Sequence, residues 1–452
     1  MQDVVQTPPR ANVSDEPIVV TPNVSDAAPH WSLAQRIAFR FAFAYFLLYN
    51  FPLGRVTLLS IVPWLGFLTQ PYVRMWHAIV EWVATRFFHL SGPIAVYPAM
   101  NGSGDTTLDY IHNLCLVVFA AAATFVWSLL DRKRTNYREL HFWLRIYVRY
   151  MLAFTLFTYG FAKVFPLQFS SPGLSRLIEP LSDFSPMGLL WTFMGASMAY
   201  TIFSGAAELT GGLLLLFRRT TTLGALVSTA ALVNVVLLNF CYDVPVKLFS
   251  SNLLVMAIFL LAPDLERLAN FLVFNRAVNP VNTATPVRRR WLRMAMTVAK
   301  ILVIGLVLVL HIQYGIMGYR ARYITPVNPP LYGVYEVESF TRNGQEAPPL
   351  MTDASRWSRV VVQNGLTAKM MDGSFKTYGT EYNAPVNHVA LFAPKDKNKK
   401  YAFAYSKPDA DHVILQGKLL NDSLVIKLRR VDTKFLLVNR GFHWINERPF
   451  QR

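Results

Sequence analysis

Long apolar runs with short polar breaks make up the chain from residue 33 to residue 317. At a helical rise of about 1.5 Å per residue, each run crosses a hydrocarbon layer of about 30 Å or nearly so. Three of the runs follow one another closely between residues 187 and 263, which predicts the core of a helical membrane bundle. In all, the pattern predicts seven spans, at residues 33–49, 113–130, 146–165, 189–217, 223–240, 248–262 and 295–317.

The stretch between the first two predicted spans, residues 51–90, permits two interpretations. Prolines and glycines interrupt its first half, whereas residues 72–90 combine charges with Trp76, Trp82 and Phe87. This pattern favours a broken loop followed by an amphipathic helix at the membrane interface. The alternative is two further spans, nine in all, which leaves the orientation of every later span unchanged.

From residue 331 onward the apolar positions alternate with a period of two, which predicts short β-strands separated by turns such as Asp372-Gly373. The predicted strands are residues 334–340, 359–363, 369–371, 374–378, 386–392, 400–405, 412–417, 423–428 and 435–439. Eight or nine strands at near-regular spacing predict an antiparallel meander closed into a small β-barrel. The opening Gly333-Val334-Tyr335 and the closing residues 440–444 resemble a lipocalin-like barrel.

A barrel of this size either encloses one small ligand or is filled by its own side chains, and filling is the favoured alternative. The aromatic residues that would line or fill it are Trp357, Tyr378, Phe392, Phe403 and Trp444. The predicted organisation is therefore a disordered tail at residues 1–30, a transmembrane domain at 31–318, a linker at 319–330 and an extracytoplasmic β domain at 331–452.

Composition supports a membrane protein, since 53% of the residues are hydrophobic and 14% are aromatic. The net charge of +17 would suit nucleic acid, but the basic residues cluster in short loops beside the predicted spans. By the positive-inside rule these loops face the cytoplasm, so no nucleic-acid partner is expected. The predicted orientation in the plasma (inner) membrane places the N-terminus inside and everything after Gly318 outside. No signal peptide precedes the first span, which is expected to act as the anchor.

Glu208 is the most unusual residue of the predicted core. It lies about ten residues, or about 15 Å, from Arg218, which places it near the middle of the bilayer. A bare carboxylate at that depth costs a few kcal/mol, so Glu208 is expected to face another helix, protonated or hydrogen-bonded. It is either a structural residue or a proton or substrate site, and Glu208→Gln is expected to fold nearly as well as the parent.

Lys163 is expected to extend its ammonium group to the outer interface. The alternative is that Lys163 forms an ion pair with Asp243 or with an anionic ligand. Other polar residues of the predicted spans could form, together with Lys163, a continuous polar path through the bundle. The candidate intramembrane site consists of Glu208, Lys163, Asn234, Asn239, Asp243 and Lys247.

The two cysteines, Cys115 and Cys241, both fall at predicted outer ends of spans. They form a candidate redox pair, and the alternative is that each is a small buried apolar residue. Neither a CxxC motif nor a Cys/His spacing typical of metal sites occurs, and no catalytic motif is visible. The polar residues 102–109 favour a plain surface turn over a cation site.

Three segments carry a family resemblance: residues 160–163 (GFAK), 205–216 (GAAELTGGLLLL) and 239–247 (NFCYDVPVK). Over about residues 145–262 the chain resembles the DoxX-like membrane proteins. One branch of that family resembles quinone-linked subunits of thiosulfate oxidation, so the resemblance implies a quinone as the candidate cofactor. The resemblance implies the architecture of the membrane domain more strongly than it implies a reaction.

Three functions remain open. The favoured one is a non-enzymatic membrane protein whose external β domain binds a lipophilic small molecule or an envelope protein. The alternatives are a membrane subunit of a quinone-linked oxidoreductase and a proton-coupled transporter that uses Glu208.

Overall fold

A computed structural model describes residues 30–51, 70–92, 102–280, 287, 289–394, 396–432 and 434–451. The described chain is helical as far as residue 324 and forms strands from Gly333. The helices are α1 (Leu33–Asn50), α2 (Gln70–Arg86), α3 (Thr107–Leu130), α4 (Arg138–Val164), α5 (Leu174–Ile178), α6 (Pro186–Ala196), α7 (Met198–Leu215), α8 (Thr221–Cys241), α9 (Lys247–Leu261), α10 (Leu265–Leu272), α11 (Arg290–Tyr319) and, after the strands, α12 (Leu436–Asn439).

Five helical segments of the described chain are long and apolar enough to cross a membrane, which indicates a membrane protein. They are Thr107–Leu130, Met198–Leu215, Arg218–Cys241, Lys247–Leu272 and Arg290–Ile324. The other two predicted spans correspond to α1 and α4. Helix α4 includes five charged residues, which lower its hydropathy, yet every residue from 151 to 157 is buried. It is therefore the central helix of the bundle.

The predicted continuous span at residues 189–217 is wrong, because the chain breaks at Ser197 into α6 and α7. Ser197 has an extended backbone (φ −120°, ψ 97°), and its side chain accepts a hydrogen bond from the Tyr200 N–H as an N-cap of α7. The Thr201 hydroxyl donates to the Met194 carbonyl (2.6 Å), which satisfies an acceptor that the break would otherwise expose. With 11 residues, α6 is too short to span a bilayer.

The helix ends form two opposite faces of the bundle. The end defined here as the basic end contains the N-termini of α1, α4, α8 and α11 and the C-termini of α3, α7 and α9. Contacts join these termini, namely Arg36 to the Arg134 carbonyl (2.8 Å), Arg145 to Asp264 (3.3 Å) and Lys300 to the Leu216 carbonyl (2.6 Å). The opposite end, beside the β-strands, is the barrel end.

Residues 102–106, which precede α3, belong to the barrel end, and the plain surface turn predicted at residues 102–109 is wrong. The Asp105 carboxylate accepts hydrogen bonds from the backbone N–H groups of Lys247 (2.7 Å) and Leu248 (3.0 Å). A carboxylate at a helix N-terminus satisfies free N–H groups and complements the helix dipole. The loop therefore ties α3 to the start of α9.

The helix predicted at residues 72–90 is present as α2. Trp76, Val80 and Ala84 recur every fourth residue and are buried in the helical core, whereas Trp82 and Phe87 are exposed. Trp76 is thus a packing residue, in edge contact with the ring of His112 on α3 (centroids 4.7 Å apart). The interfacial position of α2 stays a prediction, and the predicted broken loop falls mainly on residues 52–69, outside the described residues.

Eight antiparallel strands close into a barrel, as the alternating pattern predicted. They pair in chain order, the last strand pairs with the first (Tyr335 opposite Arg430), and a short β2 extends β1 as a hairpin. The strands are β1 (Gly333–Arg342), β2 (Gln345–Glu346), β3 (Trp357–Val362), β4 (Leu366–Met370), β5 (Phe375–Asn383), β6 (His388–Ala393), β7 (Asp396–Ser406), β8 (His412–Leu419) and β9 (Asp422–Arg430). The strand predicted at residues 435–439 is wrong, since this segment is the short helix α12.

Side chains occupy the barrel interior. Phe340, Trp357 and Phe403 are at most 1% exposed and belong to one buried cluster. Tyr378 packs against that cluster, whereas Trp444 is 91% exposed and neither lines nor fills the barrel. The expectation that the barrel is filled by its own residues therefore agrees with the packing of these three large side chains.

Helices α4 and α7 touch through glycines. A Cβ atom on Gly205 would lie 2.7 Å from both the Gly160 carbonyl oxygen and the Lys163 Cβ, and a Cβ on Gly160 would lie 2.7 Å from Leu209 Cγ. Only hydrogen fits at these positions, so the two backbones approach closely, as small-residue faces permit in membranes. Every side chain on this interface is positioned by that approach.

Gly205→Ala should lower the free energy of unfolding by about 1–3 kcal/mol, because the added methyl group overpacks the α4–α7 contact. Thermal and denaturant unfolding in mild detergent would measure the change. Gly305→Ala on α11 is the matched control, since a Cβ there meets nothing within 4 Å, and it should be neutral or slightly stabilising. Equal effects of the two substitutions would contradict the close approach.

Candidate functional site

A cavity of about 180 Å³ lies inside the bundle between α4, α6, α7, α8 and α9. Its volume is far above the roughly 10–15 Å³ that one water molecule requires. The wall is mostly apolar and includes six aromatic side chains, those of Tyr159, Phe169, Trp191, Tyr200, Phe203 and Phe249. An apolar cavity with a few polar groups is the usual form of a small-molecule site.

Lys163 and Glu208 form a buried ion pair in the wall of this cavity. The Lys163 ammonium donates to both carboxylate oxygens of Glu208, at 3.0 and 2.8 Å. The two residues are only 6% and 4% exposed. The expectation that Lys163 extends to the outer interface is therefore wrong, and Glu208 faces another helix as predicted, with a lysine as its partner.

The glycine contact explains why these two side chains meet. Lys163 follows Gly160, and Glu208 follows Gly205, by three residues in each case. Helices α4 and α7 run in opposite directions, and side chains on a helix tilt toward its N-terminus. Lys163 therefore leans toward the basic end and Glu208 toward the barrel end, so that each approaches the other across the glycine contact.

Burial makes the pair sensitive to the loss of either charge. Removing two ions from water costs several kcal/mol each, and the mutual attraction offsets that cost only while both charges are present. The Tyr159 ring adds a second partner, since the Lys163 ammonium lies 5.6 Å from its centroid. The arrangement holds a fixed positive and a fixed negative group side by side in an apolar wall.

Two amides complete the polar lining from the predicted set. Asn239 donates to the Ser250 hydroxyl (2.9 Å) and so cross-links α8 to α9. Within the described part of the chain, no hydrogen bond of the Asn234 side chain is found. A residue that the sequence reasoning missed, Gln168, presents a buried side-chain oxygen that has no partner among the described residues. Two hydrogen-bonding groups of the wall are thus open to a ligand.

The cavity opens sideways between α7 and α8. Tyr200, Phe203 and Asn234 line it and are nonetheless exposed on the surface of the bundle. Phe203 is 67% exposed.

The remaining predicted residues lie outside the cavity. Asp243 pairs with Lys247 (2.7 Å) and is largely exposed, so it is not the partner of Lys163. Cys115 is buried and Cys241 is exposed, and both thiols are free, so the structure does not join them as a disulfide. Among the described residues, no cluster of three or more His, Cys, Asp or Glu side chains is placed to hold a metal ion.

The aromatic wall and Gln168 were missed because a hydrophobic pattern does not tell which face of a membrane helix points inward. Trp191 was assigned to a continuous span, and the break at Ser197 is what turns α6 toward the cavity. The amphipathic spacing of Tyr159 and Lys163, four residues apart on one face of α4, is the one sequence signal that could have linked them.

Comparison with known proteins gives a family and no activity. A stretch of 116 residues, 26% of the chain, is 40% identical to the uncharacterized protein YwoB of Bacillus subtilis strain 168 and covers 73% of that protein. The chain belongs to the YwoB family. No protein-family profile and no solved structure matches it. For this YwoB-family member, the resemblance to DoxX-like proteins stays a prediction.

The buried pair reverses the expectation for Glu208→Gln. This substitution leaves Lys163 as an uncompensated buried charge and should cost about 3–5 kcal/mol of unfolding free energy, whereas removing both charges in Lys163→Met/Glu208→Leu should cost much less. Unfolding in mild detergent would measure both. Asp243→Asn, which breaks an exposed pair, is the control and should cost at most about 1 kcal/mol. A Glu208→Gln variant as stable as the parent would show that the pair is not ionised.

Proposed function

We propose that this protein is a multi-pass membrane protein that binds a lipophilic small molecule with a polar head in the bundle cavity. The observation that carries the proposal is the buried Lys163–Glu208 pair set in a mostly apolar wall. A structural ion pair alone does not require an adjoining cavity of about 180 Å³. Binding sites combine such apolar volume with a few polar groups that orient the ligand.

A quinone is the ligand class that fits these groups best. Lys163 has three ammonium hydrogens and gives two of them to Glu208, so one remains for a carbonyl oxygen. Glu208 has further lone pairs that accept from a hydroxyl group of a reduced, quinol form. The flat rings of Tyr159, Trp191 and Phe249 offer stacking partners for a quinone ring. The alternative of a quinone-linked redox subunit is thereby favoured over a ligand site in the barrel.

The barrel then has a different task. Its interior is occupied by Phe340, Trp357 and Phe403, so the ligand-binding role is assigned to the bundle. Contact with an envelope protein remains the proposed role of the outer surface of the barrel.

Proton-coupled transport is a second candidate, favoured by one observation. The helix break at Ser197 lies beside the cavity, between the lining residues Met194 and Tyr200. Interrupted helices with an ionisable residue nearby are typical of secondary transporters. Uptake of protons into proteoliposomes that depends on Glu208, in the absence of any quinone effect, would favour this candidate.

We further propose seven spans in the plasma (inner) membrane, with the basic end in the cytoplasm and the barrel outside. The concentration of arginine and lysine at residues 132–134 and 218–219 supports this orientation. Single cysteines placed at Lys133 and Asp396, in a background without Cys115 and Cys241, should then label oppositely with a membrane-impermeant maleimide. Equal labelling of the two in intact cells would contradict the orientation.

Ligand binding is tested by filling the cavity. Ala207→Phe should weaken binding of a short-chain benzoquinone or naphthoquinone by more than about tenfold, because the ring occupies the space that the ligand needs. Calorimetric titration of the full chain in detergent measures the Kd. Ala206→Phe, on the adjacent exposed position of α7, is the matched control and should leave the Kd within about twofold.

Two results would overturn the assignment. One is the absence of saturable quinone binding by the folded parent protein. The other is equal binding by the Ala206→Phe and Ala207→Phe variants, which would place the ligand elsewhere.

A further inference from the structure

Arg149 is a buried cation at the basic end of the bundle. It is only 6% exposed. One guanidinium nitrogen donates to the Thr221 hydroxyl (3.1 Å) and another contacts the Tyr150 hydroxyl (3.4 Å), while its Nε has no partner among the described residues. Thr221 is the first residue of α8, so Arg149 lies at the level where the helices end. Neutral partners of this kind do not balance its charge.

Other cations surround Arg149. Arg145 and Arg218 are near enough for their positive charges to act on it. Arg149 and Lys300 both lie against the ring of Tyr150, at 5.0 and 6.0 Å from its centroid. Like charges in one partly buried place repel one another, and the repulsion grows as water is excluded.

No acidic side chain of the described chain pairs with Arg149. Asp264, on the same end, is already engaged by Arg145 (3.3 Å) and by the hydroxyl of Thr222 (2.9 Å). Outside the described residues, Asp and Glu occur only within residues 1–29. A buried guanidinium without a counter-charge costs several kcal/mol, so Arg149 requires an anion from outside the bundle.

We propose that Arg149 and Lys300 form a site for a phosphate group at the basic end. A guanidinium binds two phosphate oxygens at once and an ammonium group adds a point charge, which together match a phosphate better than a carboxylate. The site lies at the helix ends, where lipid headgroups lie, and basic pockets between membrane helices bind anionic headgroups. The phosphate comes from an anionic phospholipid or from free phosphate, and the site is separate from the bundle cavity.

The test compares the full chain in nanodiscs of phosphatidylcholine with and without phosphatidylglycerol, and separately in detergent with inorganic phosphate or chloride at equal ionic strength. Thermal unfolding and the lipid dependence of the midpoint are measured for the parent, Arg149→Gln, Lys300→Gln and Arg219→Gln. Arg219 is the matched control, because it is an exposed arginine next to the site. If Arg149→Gln does not fold, Lys300→Gln provides a second measurement of how the unfolding midpoint depends on the anion.

The parent should unfold several degrees higher with phosphatidylglycerol than with phosphatidylcholine alone, or with inorganic phosphate than with chloride. The apparent affinity should fall at least about tenfold in Arg149→Gln and Lys300→Gln but not in Arg219→Gln. A shift with phosphatidylglycerol alone identifies a lipid headgroup, and a shift with inorganic phosphate as well identifies a general phosphate site. The proposal would be overturned if neither phosphatidylglycerol nor inorganic phosphate raised the unfolding midpoint. It would also be overturned if all three variants lost affinity equally, because an equal loss indicates general attraction of anions to the surface.

Discussion

The Lys163–Glu208 pair is the constraint on which the arrangement of the bundle depends. Two charges that are 6% and 4% exposed are tolerated in an apolar surrounding only when they meet within hydrogen-bonding distance. They meet because Gly160 and Gly205 let α4 and α7 touch, and neither glycine leaves room for a methyl group. The same contact leaves the space beside the pair that becomes the cavity.

The barrel end connects this cavity to the β domain. The backbone N–H of Leu174 on α5 donates to the side-chain oxygen of Gln363, which follows β3 (2.9 Å). The Tyr323 hydroxyl donates to the Pro166 carbonyl (2.9 Å). The segment between α4 and α6, which includes the lining residues Gln168 and Phe169, therefore lies between the barrel and the cavity.

Sequence patterns located the eight strands of the barrel because one face of each strand is buried and alternation is a local property. They failed at residues 435–439, where Leu436 and Leu437 resemble a strand but are exposed in a short helix. They also failed at Ser197, since a serine within an apolar run is compatible with both a continuous and a broken helix. Glu208 was recognised from its cost in lipid, but its partner was not, because Lys163 is 45 positions away and only the glycine contact brings the two together. The span predicted at residues 146–165 corresponds to α4, although charged residues such as Arg149 lower the hydropathy of this helix.

The most direct test of the account is cryo-electron microscopy of the full chain in lipid nanodiscs with a short-chain quinone. We expect ligand density beside α7, with a ligand oxygen within hydrogen-bonding distance of the Lys163 ammonium and with Glu208 still paired to Lys163. This expectation would be contradicted by a Lys163 side chain that extends to the membrane surface, or by a cavity closed by its own side chains while the ligand binds elsewhere.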